Sequence, residues 1–474
     1  MAPDTAHIGH NHNLLAFICF QKHSHRCGNL QVRAPEYGGG GNTTSLRIIG
    51  FLKLKGAGYP LNGLRIKRAT LAIYLLFAVS LLLVFVFGCT STPNEPPAEA
   101  PAPTAKSTEL DALRALLQGF VEHGQAPGVS LLLAQHGKVV FEEAYGWANL
   151  EARKPFTTDT ITWIASTTKP VSATCVMILV DEGKISLDDP VSKYLPAFGE
   201  LTIKGTDSKA SSPTIRQLLC HTSGMAGLMD IAPGVTEATR DFKLTMAESV
   251  DLLGREELLA EPGARFSYGG ASFQVAGHIV ELVSGKPFDV FMQERILAPL
   301  RMVDTTFKPK EGQFPRIAAI YQPSAGEFEI SPVSYVHRMN INLILAGGGL
   351  YSTLRDLSVF PQMHLNGGTY GSVRILSPAA VAEMQKVQTG DAALGFSPSR
   401  AGTDYGLGWI CDRIGADGKT LSVSHGGMFG SVIWIDLDRD LVGVFFTNIP
   451  YQFATELHWA VREKVLELFP ATTQ

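Results

Sequence analysis

The chain has 474 residues, of which 45% are hydrophobic and 18% are charged, so it is long and apolar enough for a large buried core. Residues 1–68 carry nine Lys or Arg and two Asp or Glu, a net charge of +7. Because the whole chain sums to −4, the remainder carries −11. An acidic remainder argues against a nucleic-acid partner for the folded part.

The N-terminal part of the chain contains two segments without a globular pattern. Residues 1–63 are rich in His and Gly and lack sustained periodicity, which predicts a disordered extension or a start codon assigned too early. Residues 69–88 are an uncharged run of twenty residues that follows a basic stretch. This pattern is typical of an export signal or membrane anchor, which we place over residues 64–89.

The kind of anchor is left open between two alternatives. Cys89 follows the apolar run as the lipidated cysteine of a bacterial lipoprotein would, whereas an uncleaved run would span the membrane. Both alternatives predict a membrane partner through the N-terminus and place the rest of the chain outside the cytoplasm. Residues 90–107 contain five prolines, which predicts a semi-extended linker to a domain over residues 108–470.

The domain has strand patterns at its two ends and helical patterns between them. Helices are predicted over residues 110–122, 214–220, 273–283, 354–365 and 455–469. Strands are predicted over residues 129–134, 139–145, 405–410, 421–425, 430–436 and 441–448. Because the strands surround a helical middle, we predict an α+β fold whose single sheet is built from both ends of the domain.

A Ser-x-x-Lys tetrad stands at the start of the most apolar helix. Residues 163–170 read Trp-Ile-Ala-Ser-Thr-Thr-Lys-Pro, and Gly183 is expected to end the helix. Residues three apart share a helix face, so the Lys169 amine is expected to approach the Ser166 hydroxyl. Burial and the helix dipole both favour a neutral amine, which makes lysine a base. The tetrad also occurs by chance, so further motifs must support it.

The domain also contains a turn histidine and three widely spaced cysteines. His221 follows the predicted helix 214–220 in a turn, where we expect its ring to satisfy loop carbonyls rather than act as a base. Cys175, Cys220 and Cys411 form no disulfide framework, although a Cys220–Cys411 bridge is left open.

Three ordered motifs support a catalytic interpretation of the tetrad. They are Ser166-Thr167-Thr168-Lys169, Tyr268-Gly269-Gly270 and His425-Gly426-Gly427. With them, residues 110–469 resemble the serine β-lactamase and penicillin-binding protein superfamily, most closely its class C-like branch of β-lactamases, esterases and D-amino-acid peptidases. The resemblance implies a β-lactamase/transpeptidase-like α+β fold, in which an antiparallel sheet packs with helices beside a mainly helical subdomain.

The resemblance also assigns roles to residues of these motifs. Ser166 would attack a carbonyl and form an acyl-enzyme, while Lys169 and Tyr268 would share the proton transfers and titrate as a coupled pair. Gly427 and Met428 would lie on the oxyanion side, with the backbone N–H groups of Ser166 and of Met428, the residue after the third motif on its sheet strand, as donors. No metal or organic cofactor is implied.

Two positions depart from the family's pattern. Gly270 stands where asparagine usually orients substrate amides, and His425 stands where lysine often holds a substrate carboxylate. His425 would be mostly neutral at pH 7, so the site would lack two substrate contacts.

These departures favour a small ester, or an amide without a free carboxylate, as the substrate. A β-lactamase or D,D-carboxypeptidase acting on cell-wall peptides is the alternative within enzymes. From another class, a penicillin-binding sensor or a peptidoglycan-binding domain with little turnover remains open.

Overall fold

The computed structural model of this chain describes residues 109–230, 232–339, 341–394 and 404–471. The α-helices of this described part lie in the middle of the domain and at its two ends. They are α1 (Asp111–Glu122), α2 (Thr168–Asp181), α3 (Ile215–Leu219), α4 (Pro233–Arg240), α5 (Met246–Leu253), α6 (Ala271–Ser284), α7 (Phe288–Met292), α8 (Leu354–Leu365), α9 (Pro378–Gln385) and α10 (Tyr451–Leu468).

The described strands form one seven-stranded antiparallel sheet and four two-stranded ribbons. The sheet has the order β12-β13-β14-β15-β1-β2-β3, where β1 is Gly128–Gln135, β2 is Lys138–Asn149, β3 is Lys154–Pro155, β12 is Ile410–Ile414, β13 is Thr420–Gly426, β14 is Val432–Asp436 and β15 is Leu441–Thr447. The ribbon strands are β4 (Thr162–Trp163), β5 (Arg265–Phe266), β6 (Tyr321–Ser324), β7 (Glu327–Ile330), β8 (Tyr351–Ser352), β9 (Thr369–Tyr370), β10 (Val373–Arg374) and β11 (Ala393–Leu394).

Strand β1 joins the two ends of the domain within the sheet. It pairs with β2 across the turn at His136 and Gly137, and with β15 in a register that sets Val129 opposite Thr447. The prediction of an α+β fold with one antiparallel sheet from both ends is thereby confirmed.

The sheet is covered by helices on both faces. Leu131 and Leu133 of β1 lie in a cluster with apolar residues of α1 and α10, whereas Leu132 between them lies in the larger core with α2 and α8. Successive side chains of a strand point to opposite faces, so this alternation places a separate apolar layer on each side.

Helix α2 is buried from Thr168 to Leu179. A helix enclosed on all sides needs no polar stripe, which explains why its sequence shows no amphipathic pattern. Gly183, with φ of 68°, follows the helix in the left-handed conformation that suits glycine, as predicted.

The predicted strand over residues 405–410 is wrong. Tyr405 and Ile410 instead form a bridge across a turn, and strand β12 begins only at Ile410. Gly408 has φ of 81°, and a Cβ there would press on Ala173 and on the Lys169 carbonyl of α2. The close approach of α2 thus requires a turn where the apolar alternation indicated a strand.

Two further expectations concern cysteines and the membrane. Cys175, Cys220 and Cys411 are buried free thiols, so the Cys220–Cys411 bridge is not formed. Within the part of the chain that the structure describes, no helix has the length and apolar character needed to cross a bilayer. The predicted extension, anchor with Cys89 and linker lie outside the described residues.

Candidate active site

The Ser166 segment is a single 3₁₀ turn, Ala165–Thr167, that leads directly into α2. Ala165 has φ of 44°, a left-handed conformation that costs a residue with a side chain roughly 1–3 kcal/mol. Such strain persists only where the surrounding contacts enforce it. Here it sets the direction in which the next residue, Ser166, leaves the chain.

Lys169 lies one helical turn further on and approaches Ser166 from within the core. Its Nζ is 3.1 Å from Ser166 Oγ and donates a hydrogen bond to the Gly347 carbonyl at 2.8 Å. The side chain is only 2% exposed, and this burial lowers the pKa of the amine from 10.5 to about 7. The expected proximity and the expected direction of the pKa shift are both present.

Tyr268 lies on the other side of the lysine amine and also contacts Ser166. Lys169 Nζ is 4.8 Å from the centroid of the Tyr268 ring. Burial raises the pKa of the Tyr268 phenol, and a hydrogen bond with the Ser166 side chain opposes part of that rise. Burial therefore moves both groups towards their neutral forms, which agrees with the neutral amine expected from the sequence.

The His425 ring is fully buried behind Tyr268, with ring centroids 6.0 Å apart. Its Nδ1 lies 2.8 Å from the Gly426 carbonyl and must donate to it, so its Nε2 accepts from the Tyr405 hydroxyl at 2.9 Å. Burial, with a smaller effect of the Lys169 charge, lowers the pKa of His425 to about 3. The resemblance places His425 at a substrate-binding position, but here both ring nitrogens bind protein groups.

Ser431 connects the segment after β13 to the segment before Ser166 by hydrogen bonds. The Ser431 hydroxyl donates to the Ile164 carbonyl at 2.7 Å and lies 2.9 Å from Thr167 Oγ1. A Cβ on Gly427 would collide with the Ile164 carbonyl oxygen and the Ser431 hydroxyl, so this contact requires glycine. Gly427 is therefore a point of close approach between β13 and the nucleophile turn.

Met428 follows in a turn directly after β13, the strand that carries the start of the third motif. Its carbonyl accepts a hydrogen bond from the Tyr451 N–H at 2.7 Å, which holds the Met428 backbone against the start of α10. Among the described residues, neither the Met428 amide nor the Ser166 amide has a backbone acceptor in the turns and loops. Both amides are therefore available as donors.

Gly270 precedes α6 beside the same cluster, and a Cβ built on it would meet nothing within 4 Å. Its φ of −94° is open to any residue, so the backbone conformation does not require glycine here. Because glycine has no side chain, the space next to the Gly270 Cα is open.

Sequence reasoning did not foresee two residues that support the cluster. The Tyr405 hydroxyl binds His425, whereas the sequence placed Tyr405 at the start of a predicted strand and assigned it no role in the site. His221, expected to bind loop carbonyls, instead packs among aromatic rings in tilted and edge-on contacts, 4.6 Å from the Tyr268 centroid, and its Nδ1 is 3.5 Å from the Gly269 amide nitrogen.

The structure has an antiparallel sheet between helical layers and a buried Ser-x-x-Lys helix next to the end of β13. These features define a serine hydrolase of the β-lactamase/transpeptidase-like fold. The family model described as Beta-lactamase matches residues 113–466. The chain belongs to the Beta-lactamase family, as its motifs had indicated.

Relatives and solved structures agree with this assignment. Protein Rv1367c of Mycobacterium tuberculosis H37Rv is 30% identical over 58% of this chain and 71% of its own length. An Escherichia coli K12 protein, provisionally named a D-alanyl-D-alanine carboxypeptidase, is 26% identical over 69% of this chain and 79% of its own. The structure of EstCE1, described as a hydrolase with promiscuous acyltransferase activity, shares the fold with a TM-score of 0.65, at 24% identity over 76% of this chain and 98% of that one.

Proposed function

We propose that this protein hydrolyses a small ester, or an amide without a free carboxylate, through an acyl-enzyme on Ser166. The observation that carries the proposal is the position of Lys169 Nζ, 3.1 Å from Ser166 Oγ, with Tyr268 hydrogen-bonded to the same serine. A nucleophile with a buried base on one side and a protonated phenol on the other has both groups that acyl transfer needs.

Acylation follows from the protonation states that burial favours. Above about pH 7 the Lys169 amine is neutral and takes the hydroxyl proton as Ser166 Oγ bonds to the substrate carbonyl carbon. The phenol of Tyr268 then donates its proton to the leaving-group oxygen or nitrogen as that bond breaks. The proton on Lys169 restores the phenol, so the acyl-enzyme forms without net gain or loss of protons.

Deacylation uses the same groups in reverse. Water attacks the acyl carbon, gives its proton to the base and releases the acid while Ser166 regains its hydrogen. In both steps the negative oxygen of the tetrahedral intermediate would accept from the amides of Ser166 and Met428. Fixed backbone donors of this kind typically contribute about 10²–10³ in rate each.

The substrate preference rests on Gly270 and His425. The position of Gly270 offers no side-chain amide to a substrate, and His425 offers no cation because its buried ring already binds Tyr405 and Gly426. A hydrogen bond to a charged group is worth roughly 1.5–3 kcal/mol, so a substrate carboxylate would lose that stabilisation at the position of His425. An uncharged ester loses nothing.

Cell-wall peptides are the second candidate substrate. The named activity of the Escherichia coli relative favours this candidate, and export through the predicted anchor would place the domain outside the cytoplasm, where such peptides occur. A binding or sensor domain that acylates once is the third candidate, and the complete Ser166, Lys169 and Tyr268 set argues against it. The membrane anchor and the position of the domain outside the cytoplasm are proposals that rest on the sequence.

The test compares the wild-type chain with Ser166→Ala. Hydrolysis of p-nitrophenyl butyrate, a chromogenic cephalosporin and a peptide ending in D-Ala-D-Ala would be measured, with intact mass recorded alongside. We expect multiple turnovers of the ester, little activity on the other two, and no turnover in the variant. Preferred turnover of the peptide would favour the second candidate, whereas a stable adduct without turnover would favour the sensor.

A further inference from the structure

A cavity of about 150 Å³ opens beside the turn between β2 and β3. Its other walls are the segment that begins at Phe314 and the 3₁₀ helix Pro332–Arg338. The residues that give the cavity its chemistry are Lys154, Phe314, Ile317, Tyr335, His337 and Arg338. None of them belongs to the three motifs around Ser166.

The cavity carries positive charge that the described protein does not neutralise. Neither Lys154 nor Arg338 forms an ion pair with any carboxylate in the described part of the chain. Asp159, whose charge acts on Lys154, is paired with Arg316 at 3.5 Å. Two unpaired cations on the lining of one small cavity favour an anionic occupant.

His337 adds a polar ring to the same wall. The side chain is 8% exposed, and the Ser334 backbone is the one described group that acts on the ring as a hydrogen-bond partner, without the geometry of a full hydrogen bond. At least one ring nitrogen therefore has no partner in the described part of the protein, and buried polar groups in native proteins nearly always have one. The ring of Phe314 stands edge-on to the His337 ring, with centroids 5.0 Å apart.

The remaining walls are flat and apolar. Arg338 stacks its guanidinium 5.0 Å from the centroid of the Tyr335 ring, and Phe314 and Ile317 contribute hydrocarbon surface. A cavity of this volume accommodates a molecule about the size of benzene. We propose that the cavity binds a small carboxylate carrying a flat apolar ring, held by Lys154 and Arg338.

Benzoate is the simplest probe of this proposal. Its binding to the full chain would be measured by calorimetry in the Ser166→Ala variant, which cannot turn over a substrate through the nucleophile. We expect one saturable site, with binding weakened about tenfold or more by Lys154→Met and by Arg338→Met. Lys138→Met, which removes a charge from the first residue of β2, is the matched control and should leave benzoate binding unchanged.

Chemical controls separate this cavity from the Ser166 site. Wild-type protein labelled on Ser166 with a fluorophosphonate should still bind benzoate, and ester hydrolysis should persist in Lys154→Met. Neutral benzamide should bind about tenfold more weakly, since it lacks the charge. The proposal is overturned if benzoate does not bind or does not saturate, or if benzamide binds as tightly as benzoate. It is also overturned if the label on Ser166 blocks benzoate, or if Lys154→Met and Arg338→Met both bind benzoate as tightly as the parent protein. Equally tight binding of inorganic phosphate would overturn recognition of the ring.

Discussion

The cluster around Ser166 and the space beside Gly270 differ in how completely they are filled. Lys169 is 2% exposed and lies between Ser166, Gly347 and Tyr268, whereas a Cβ on Gly270 would meet nothing within 4 Å. Burial controls the protonation of the reacting groups, so the chemistry requires close packing. The open space imposes no such requirement, and we infer that it sets which substrates fit.

The largest expected effect is that of Lys169→Met. Loss of the base should reduce acylation by about 10²–10⁴, the usual contribution of a positioned proton acceptor. The variant should nevertheless be at least as stable as the wild type at pH 7, because folding no longer buries an amine whose pKa is lowered from 10.5 to about 7. Burst kinetics and urea unfolding measure the two effects.

The same pKa fixes the pH dependence of wild-type stability. Between about pH 7 and 10.5 the unfolded chain binds the lysine proton and the folded chain does not, so the free energy of unfolding should rise with pH through that window. Lys169→Met should lose this part of the slope. Near-normal acylation by the folded variant would contradict the role of Lys169 as the base, and an unfolded variant would contradict the expected stability.

Gly427→Ala and Gly270→Ala form a matched pair of substitutions at a filled and an open position. At Gly427 the new Cβ would collide with the Ile164 carbonyl, so we expect a loss of stability and about a 10²-fold loss of kcat as the Met428 amide moves. At Gly270 the Cβ has room and the φ of −94° is compatible, so stability should change little. Thermal unfolding and ester kinetics of both variants test this contrast, and equal effects at the two positions would refute it.

Tyr405→Phe should have an intermediate effect. It removes the hydroxyl that donates to His425 Nε2 and leaves that buried nitrogen without its partner, at a cost of about 1–3 kcal/mol in stability. Because His425 also holds the Gly426 carbonyl, we expect kcat to fall about tenfold while KM changes little. A loss of stability with unchanged kcat would show that the pair supports the fold only.

Gly270→Asn should give the smallest effect and the most specific one. The added amide would enter the open space and could bind a substrate amide, which should shift kcat/KM from the ester towards the peptide by about tenfold or less. Gly270→Ala serves as the control that fills space without a hydrogen-bonding group. A shift of the same size in both variants would assign the effect to volume alone.

The sequence was sufficient to predict those features that depend on local spacing. The three-residue interval places Lys169 beside Ser166, and strand patterns at both ends predict the sheet that β1 and β15 close. The motifs around Ser166, Tyr268 and His425 also indicated the family before any geometry was known.

Features that depend on long-range packing could not be predicted. The direction of the His425 ring is set by Tyr405, and the turn at Gly408 is set by the approach of α2. His221 lies among rings from elements distant in sequence, including Tyr268 and Phe273, where its pKa is lowered by burial. Such contacts leave no periodic signal, because each involves one residue from each segment.

The rate at which Ser166 becomes acylated, followed by intact mass across about pH 5 to 9, tests the central claim most directly. If neutral Lys169 is the base, the rate should rise with pH through an apparent pKa near 7 and then level off, with the adduct mapped to Ser166. An adduct on another residue, or a rate independent of pH over this range, would contradict the account.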